Sequence, residues 1–189
     1  MSIRRKEKTA SFDVVIVGGG MTGICAALAS ARQGARTALV QDRPVLGGNA
    51  SSEIRMHVCG ASENMIKEDG EETGILLELQ LDNKYRNDYH NFSIWDAVLL
   101  HKINSQKNLT LFLNTAVNDV DVEDGRITHI HGYQSTTEIH WTIGAKIFAD
   151  CTGNGTVGYM AGAEYHIGSE SKDAYNEPDA PKVPDNIRM

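Results

Sequence analysis

Asp13-Val14-Val15-Ile16-Val17 is a continuous run of mainly β-branched residues, the mark of a strand covered on both faces within a parallel sheet. Glycines end it at once. From Met21 to Gln33 the composition turns to Ala, Leu, Ile and Ser, with Ile24, Leu28 and Ala31 recurring at helical spacing and Gly34 as a stop. Arg36 to Gln41 is again strand-like, so the series predicts a βαβ unit with a right-handed connection. Residues 1–11 are polar and charged and predict a loose leader, which puts the start of the first element at Phe12.

Pro44 to Gly60 holds a glycine pair and small polar residues without a sustained period, and reads as a long loop. Ile75-Leu76-Leu79 and Ile94-Val98-Leu99 give helical stripes over Glu71–Asn83 and Ile94–Ser105, a helical excursion within residues 61–107. Leu109 to Leu113 predicts a third buried strand. Residues 116–122, 127–134 and 138–143 predict a β-meander with a turn at Asp124-Gly125, and 145–149 one more apolar strand. The polar residues 168–189, with Pro178, Pro181 and Pro184, read as a linker, a disordered tail or the start of a further domain.

The 189 residues, 41% of them hydrophobic, suffice for a sizeable core. A net charge of −7, with the short terminal cluster Arg4-Arg5-Lys6, speaks against a nucleic-acid partner, which needs clustered cations. Cys25, Cys59 and Cys151 are far apart and odd in number, which fits a reduced, cytoplasmic protein better than a zinc or dithiol centre. The longest apolar stretch, Val14 to Ala29, is too short for a membrane span. Asp13 and the triple glycine weigh against reading Arg4-Arg5 and Ala27-Leu28-Ala29 as parts of a signal peptide.

Gly18-Gly19-Gly20-Met21-Thr22-Gly23 is a G-x-G-x-x-G sequence that follows a predicted strand and opens a predicted helix, the context of a dinucleotide-binding turn. Gly18 permits the tight turn, Gly20 lets the backbone approach a pyrophosphate on the helix N-terminus, and Gly23 lets the helix lie close to the sheet. A ribose partner is expected at the end of the second strand, where Gln41 and Asp42 stand and either can take the role. Arg43 beside them keeps a 2′-phosphate, and so NADP, as an alternative.

The segment from Asp13 to Arg55 resembles the start of the FAD-dependent oxidoreductase domain, a Rossmann-like FAD/NAD(P)-binding fold, and is most similar to the bacterial FAD-dependent oxidoreductases. The resemblance covers residues 12–167 and rests on two further blocks, Leu46-Gly47-Gly48-Asn49 and Ile147 to Gly153. It implies an α/β fold with FAD as cofactor. It also implies that Gly47, Gly48, Asn49 and Ala50 form a loop under the pyrophosphate and ribitol, that Thr152 and Gly153 lie at the far side of the cofactor, and that the backbone of Val117 meets the adenine. The disulfide-reducing relatives carry two cysteines where this chain has residues 49–55, so a dithiol mechanism is not expected. The family also needs a substrate domain and a later segment returning to the flavin, which the residues after Ile167 are too few to supply. The chain therefore reads as the N-terminal part of a longer flavoprotein, incomplete and inactive alone.

Arg55 and His57 are the candidates for catalysis near the flavin, as a positive anchor and a proton carrier, acting on a small-molecule substrate. Cys59 and Cys25 read as small buried hydrophobes. His129 and His131 share a strand face without an evident third ligand, so no metal is expected. A second G-x-G-x-x-G, Gly153 to Gly158, reads as closing the turn around the same cofactor rather than as a separate NAD(P) site. The reading that follows is the cofactor-binding part of an FAD-dependent oxidoreductase moving a hydride or electrons from an organic substrate. A non-catalytic nucleotide-binding module and an NAD(P)-dependent enzyme are the alternatives.

Overall fold

The computed structural model describes residues 6–59 and 72–185. Arg4, Arg5, the first part of the 61–107 excursion and residues 186–189 lie outside the described residues. In chain order the elements are β1 (Lys6–Val17), α1 (Met21–Arg32), β2 (Thr37–Val40), α2 (Gly74–Arg86), α3 (Phe92–Asn104) and β3 (Leu109–Phe112). There follow β4 (Thr115–Glu123), β5 (Arg126–Gln134), β6 (Ile139–Asp150), α4 (Thr156–Met160) and the short α5 (Lys172–Tyr175). The strands form one mixed sheet in the order β3-β2-β1-β6-β5-β4. β3, β2, β1 and β6 run parallel, and β5 is antiparallel to β6 and β4. This is the predicted α/β class, a parallel centre with a meander and a helical excursion.

Alternation along the parallel strands sends side chains to two separate cores. Ile16 and Leu39 meet Ile24 and Leu28 of α1, Leu79 of α2, and Trp95, Leu99 and Ile103 of α3. Val15, Val17, Ala38 and Val40 face the other way, against Phe112, Ile130 and Ile143. Edge-to-face contacts from Phe12 to Phe112 and from Phe112 to Trp141, with ring centroids 6.0 and 5.0 Å apart, fasten the meander to this second face. Each fully buried Leu or Ile in these layers contributes roughly 1.5–3 kcal/mol.

Three of the departures from the sequence pattern have a cause in the structure. β1 begins at Lys6, not Phe12, because Lys6 to Phe12 pair with Ile139 to Ala145 of β6, and ladder hydrogen bonds hold a polar segment that composition marks as a leader. The predicted strands 138–143 and 145–149 are one strand, β6. Gly144 does not break it, for it lies under His129, whose ring would meet a Cβ there at 2.9 Å. The second excursion helix starts at Phe92 because the Asn91 side chain accepts a hydrogen bond from the Ser93 N–H, a cap the apolar stripe does not reveal. Asn108 plays a similar part, its amide donating to the carbonyls of Ala31 and Ala35 at 2.8 and 2.6 Å and so closing the C-terminal end of α1.

The helices are also tied by charge. Arg32 of α1 makes a two-pronged contact at 2.8 Å with Glu78 of α2, and Lys102 of α3 reaches both Glu78 and Asp82. Hydrogen bonding from Arg32, and then from Lys102, holds the Glu78 carboxyl at about 2 although burial works the other way. A depressed folded value means the stabilisation is present above the ordinary value of 4.5 and is lost as pH falls toward 2. All four side chains keep water access, so the effect is expected to stay at about 1 kcal/mol or less. The Tm difference between the native protein and Glu78→Gln is expected to shrink between pH 4.5 and 2, and a difference that stays constant refutes the assignment.

Candidate functional site

The C-terminal ends of β1, β2 and β6 open into one cleft of about 750 Å³, at the point where the chain has turned from β1 toward β2 on one side and later returns as β6 on the other. Its floor is the glycine turn. The Gly18 N–H donates to Val40 O, and the Cys151 N–H to Val17 O at 2.7 Å, so the turn is pinned to both neighbouring strand ends. Gly18 has φ +104°, and a Cβ there would lie 2.3 Å from Cys151 O, so no other residue fits. At Gly20 the opposite holds, because a Cβ would meet nothing within 4 Å and would project into open space. Gly20 is also the N-cap of α1, with no side chain capping it, and the first internal bond runs from the Ile24 N–H back to Gly20 O. The amides of the first turn are thus left for a ligand at the positive end of the helix dipole.

The glycine-pair loop lies directly on this floor. Gly47 N–H donates to Gly19 O at 2.8 Å, Gly20 and Gly47 form an isolated parallel bridge, and a Cβ on Gly48 would come within 3.2 Å of the Gly20 Cα. One turn of 3-10 helix, Gly48–Ala50, then carries Asn49 past the cleft. On the far side, the Thr152 amide and hydroxyl both donate to Asp150 at 3.0 and 2.6 Å, while the Gly158 N–H donates to the other carboxylate oxygen at 2.9 Å. Burial pushes the Asp150 carboxyl up, but these bonds outweigh it and hold the group below its ordinary range, so Asp150 stays ionised as the anchor of the Thr-Gly turn. The sequence signal for this role was a carboxylate at a strand end with Thr two residues on, an Asx-turn pattern.

Gln41 and Asp42 have different surroundings. Gln41 is buried, its Oε1 accepting from the Gly19 N–H at 2.7 Å and its Nε2 donating to Val45 O at 3.3 Å, so its amide braces the glycine turn against the next loop. Asp42 is exposed on the cleft wall. Arg43 lines the same wall and pairs with Glu53 at 3.0 Å, a contact between residues ten apart in the loop that no motif announces. Val117 borders the cleft with Thr115 and Ala116, just before a register shift in the β4–β5 ladder.

Of the residues the sequence singled out, Gly18, Gly19, Gly20, Met21, Thr22, Gln41, Asp42, Arg43, Gly47, Gly48, Asn49, Ala50, His57, Val117, Thr152 and Gly153 all line this cleft. Gly23 does not; it sits behind the turn, where a Cβ would fall 1.8 Å from Gly18 O. Arg55 is also off the wall. It is exposed, with φ +63°, and its Nε donates to Ser52 O at 3.1 Å, which fastens its own turn. Cys59 is exposed rather than packed, its Sγ 3.5 Å from His57 Nε2, and both border the cleft. Cys25 packs against the helix-side core as expected. Burial, helped by the Asp150 charge, pushes the Cys151 thiol up and keeps it neutral on the wall.

The sequence profile described as FAD dependent oxidoreductase matches residues 13–189. The chain belongs to this family. The match takes in the tail beyond Ile167. Among curated proteins, the chain is 27% identical over 139 residues to the tRNA uridine 5-carboxymethylaminomethyl modification enzyme MnmG of Streptococcus pyogenes, covering 66% of this chain and 22% of that one. The chain thus spans about a fifth of that relative's length. Among solved structures, Thermovibrio ammonificans THI4 superposes with a TM-score of 0.55 at 20% identity, covering 92% of this chain and 76% of that one. The myxobacterial FAD-dependent halogenase CndH gives 0.53 at 17% identity, covering 77% and 38%. These likenesses establish the Rossmann-like fold.

FAD is the cofactor of the FAD dependent oxidoreductase family, and the cleft fits it. An uncapped helix N-terminus suits a pyrophosphate, the empty space before Gly20 is the room such a group needs, and the volume lies in the range of cofactor pockets. The second G-x-G-x-x-G leads into α4, a helix of five residues, and among the described residues no strand follows it to complete a βαβ unit. Among the described residues there is no His/Cys/Asp/Glu group able to hold a metal, and no helix is long and apolar enough to cross a membrane.

Proposed function

We propose that this chain holds FAD for the oxidation of a small organic molecule, within a longer polypeptide that supplies the rest of the substrate chamber. The observation that carries the reading is the convergence of the glycine turn, the glycine-pair loop and the Thr-Gly turn on a single cleft over an uncapped helix. Bound there, FAD supplies a ring that accepts a hydride or electrons. In this reading the Met21 and Thr22 amides hold the pyrophosphate, the Gly47–Ala50 loop and the Thr152-Gly153 turn flank the rest of the cofactor, and the Val117 backbone borders the adenine. Asp42 takes the ribose hydroxyls, since the Gln41 amide is already engaged with Gly19 and Val45. His57 on the cleft wall is the group placed to hold or move a proton, and Arg55 positions the loop. The charge of −7 favours a small-molecule substrate over the tRNA that MnmG's name specifies, and three free cysteines favour a cytoplasmic setting.

The visible spectrum of the purified protein tests the cofactor, with flavin bands expected, and thermal stabilisation by NAD but not FAD overturning it. Two variants test the division of roles. Asp42→Asn is expected to weaken FAD about tenfold and leave FMN, which lacks the adenosine half, unaffected. Gln41→Leu strands the buried Gly19 N–H and is expected to lower stability by about 1–3 kcal/mol. Unchanged FAD affinity in Asp42→Asn returns the ribose contact to another residue.

A further inference from the structure

Among the described residues that line the cofactor cleft, Arg43 is the only Lys or Arg. The amides at the start of α1 meet a pyrophosphate without it, so its guanidinium is additional positive charge on a wall where a ribose is expected. It does not face that wall alone. Its Nε lies 3.0 Å from Glu53 Oε2, and Asp42 precedes it in the chain, so two carboxylates share the wall with one guanidinium.

Anchors at both ends preset this pair. On one side the Asn114 N–H donates to Arg43 O at 3.2 Å and the Thr115 N–H to Gln41 O at 2.9 Å, which ties the residues after β2 to the start of β4. On the other, the Ser52 N–H donates to Asp96 Oδ1 of α3 at 3.0 Å, and the Glu53 N–H donates to Oγ of the buried Ser51 at 3.3 Å. The Arg43 side chain is 53% exposed and that of Glu53 30%, so the carboxylate is the more sheltered member and the guanidinium the one a ligand can reach. An ion pair this open contributes little to folding. What it changes is the field that a charged ligand meets.

We infer that Glu53 sets the selectivity of the cleft, masking Arg43 so that the site takes an adenosine with a free 2′-hydroxyl and refuses one that carries a 2′-phosphate. An unmasked arginine beside the ribose is a ready partner for a 2′-phosphate, because its fork of donors matches phosphate oxygens. With Glu53 already on its Nε and Asp42 next to it, an added phosphate finds one engaged cation and two like charges. FAD and NADP share an adenosine diphosphate half and differ within it by this phosphate, so the mask keeps a second common dinucleotide out of the flavin's place. The inference rests on the reading of this cleft as an FAD site with the ribose at Asp42.

The test titrates the full chain with FAD in the presence of 5′-AMP or of adenosine 2′,5′-bisphosphate, which differ by the 2′-phosphate alone, and obtains an inhibition constant for each. The bisphosphate is expected to compete about tenfold more weakly than 5′-AMP. Glu53→Gln is expected to shrink that difference about tenfold, and adding Arg43→Ala to it to bring the difference back. Damaged packing weakens both competitors, so only a gain specific to the bisphosphate supports the mask. Equal or tighter binding of the bisphosphate by the native protein, no competition by either nucleotide, an unchanged ratio in Glu53→Gln, or a gain that survives Arg43→Ala overturns the inference. Should Glu53→Gln lose its fold by circular dichroism, Glu53→Ala takes its place. The FAD titration itself separates the outcomes: FAD uptake with an unchanged ratio sinks the mask only, whereas absent uptake sinks the cofactor reading and the mask with it.

Discussion

Gly20→Val is expected to release the flavin while the protein stays folded. Its backbone, at φ −69° and ψ 179°, is open to any residue, and the added side chain meets no protein atom within 4 Å of the Cβ. Valine is a poorer N-cap than glycine, which costs about 1 kcal/mol of stability. Its methyl groups nevertheless occupy the space in front of the α1 amides, and FAD affinity is expected to fall on the order of a hundredfold or more. Flavin absorbance per mole of protein, together with the Tm measured without cofactor, checks both halves. Wild-type flavin content in this variant moves the pyrophosphate site elsewhere.

At Gly23, only three residues on, substitution is expected to act on the fold instead. A Cβ there overlaps Gly18 O at 1.8 Å, and Gly18 is itself locked against Cys151 O, so neither partner can retreat. Gly23→Ala is expected to destabilise by about 3 kcal/mol or more, a large share of the stability of a domain this size. Chemical denaturation gives the value directly. A loss below about 1 kcal/mol means that α1 can slide away from the turn, and the close packing is then not a requirement. Set together, the two variants test separately a glycine kept for a ligand and a glycine kept for the chain, the division of roles that the motif implies.

Much of this was legible in the sequence because it depends on local period and on glycine spacing. The run Val14 to Val17, the stripe Ile24, Leu28 and Ala31, and the three glycine-bearing blocks each report on a few neighbouring residues. What escaped depends on partners far along the chain. Lys6 to Ser11 form a strand only because β6 lies beside them, and Cys59, a small hydrophobe by composition, is exposed on the cleft rim. Gln41 and Asp42 are alike by position in the sequence, and their different surroundings come from a contact 22 residues apart, the Gly19 N–H donating to the Gln41 side chain. The Arg43–Glu53 pair and the hydrogen bond from the Ser169 N–H to the Asp185 carboxylate are tertiary contacts between polar residues, which no hydrophobic period encodes.

The order of strands has a kinetic side. β1 lies at the centre of the sheet, yet the partner on one of its flanks, β6, follows more than a hundred residues later, with Lys6 opposite Ile139 and Val17 opposite Asp150. Until that stretch leaves the ribosome, β1, α1 and β2 can assemble only half of their pairing, and the apolar face that awaits the meander stays uncovered. Closing so long a loop is entropically costly, and non-local pairing of this kind slows folding. While the residues between β1 and β6 are being made, the nascent chain therefore carries an open strand edge beside a half-built nucleotide cleft, the period in which chaperone contact or binding of the nucleotide itself has the most to protect.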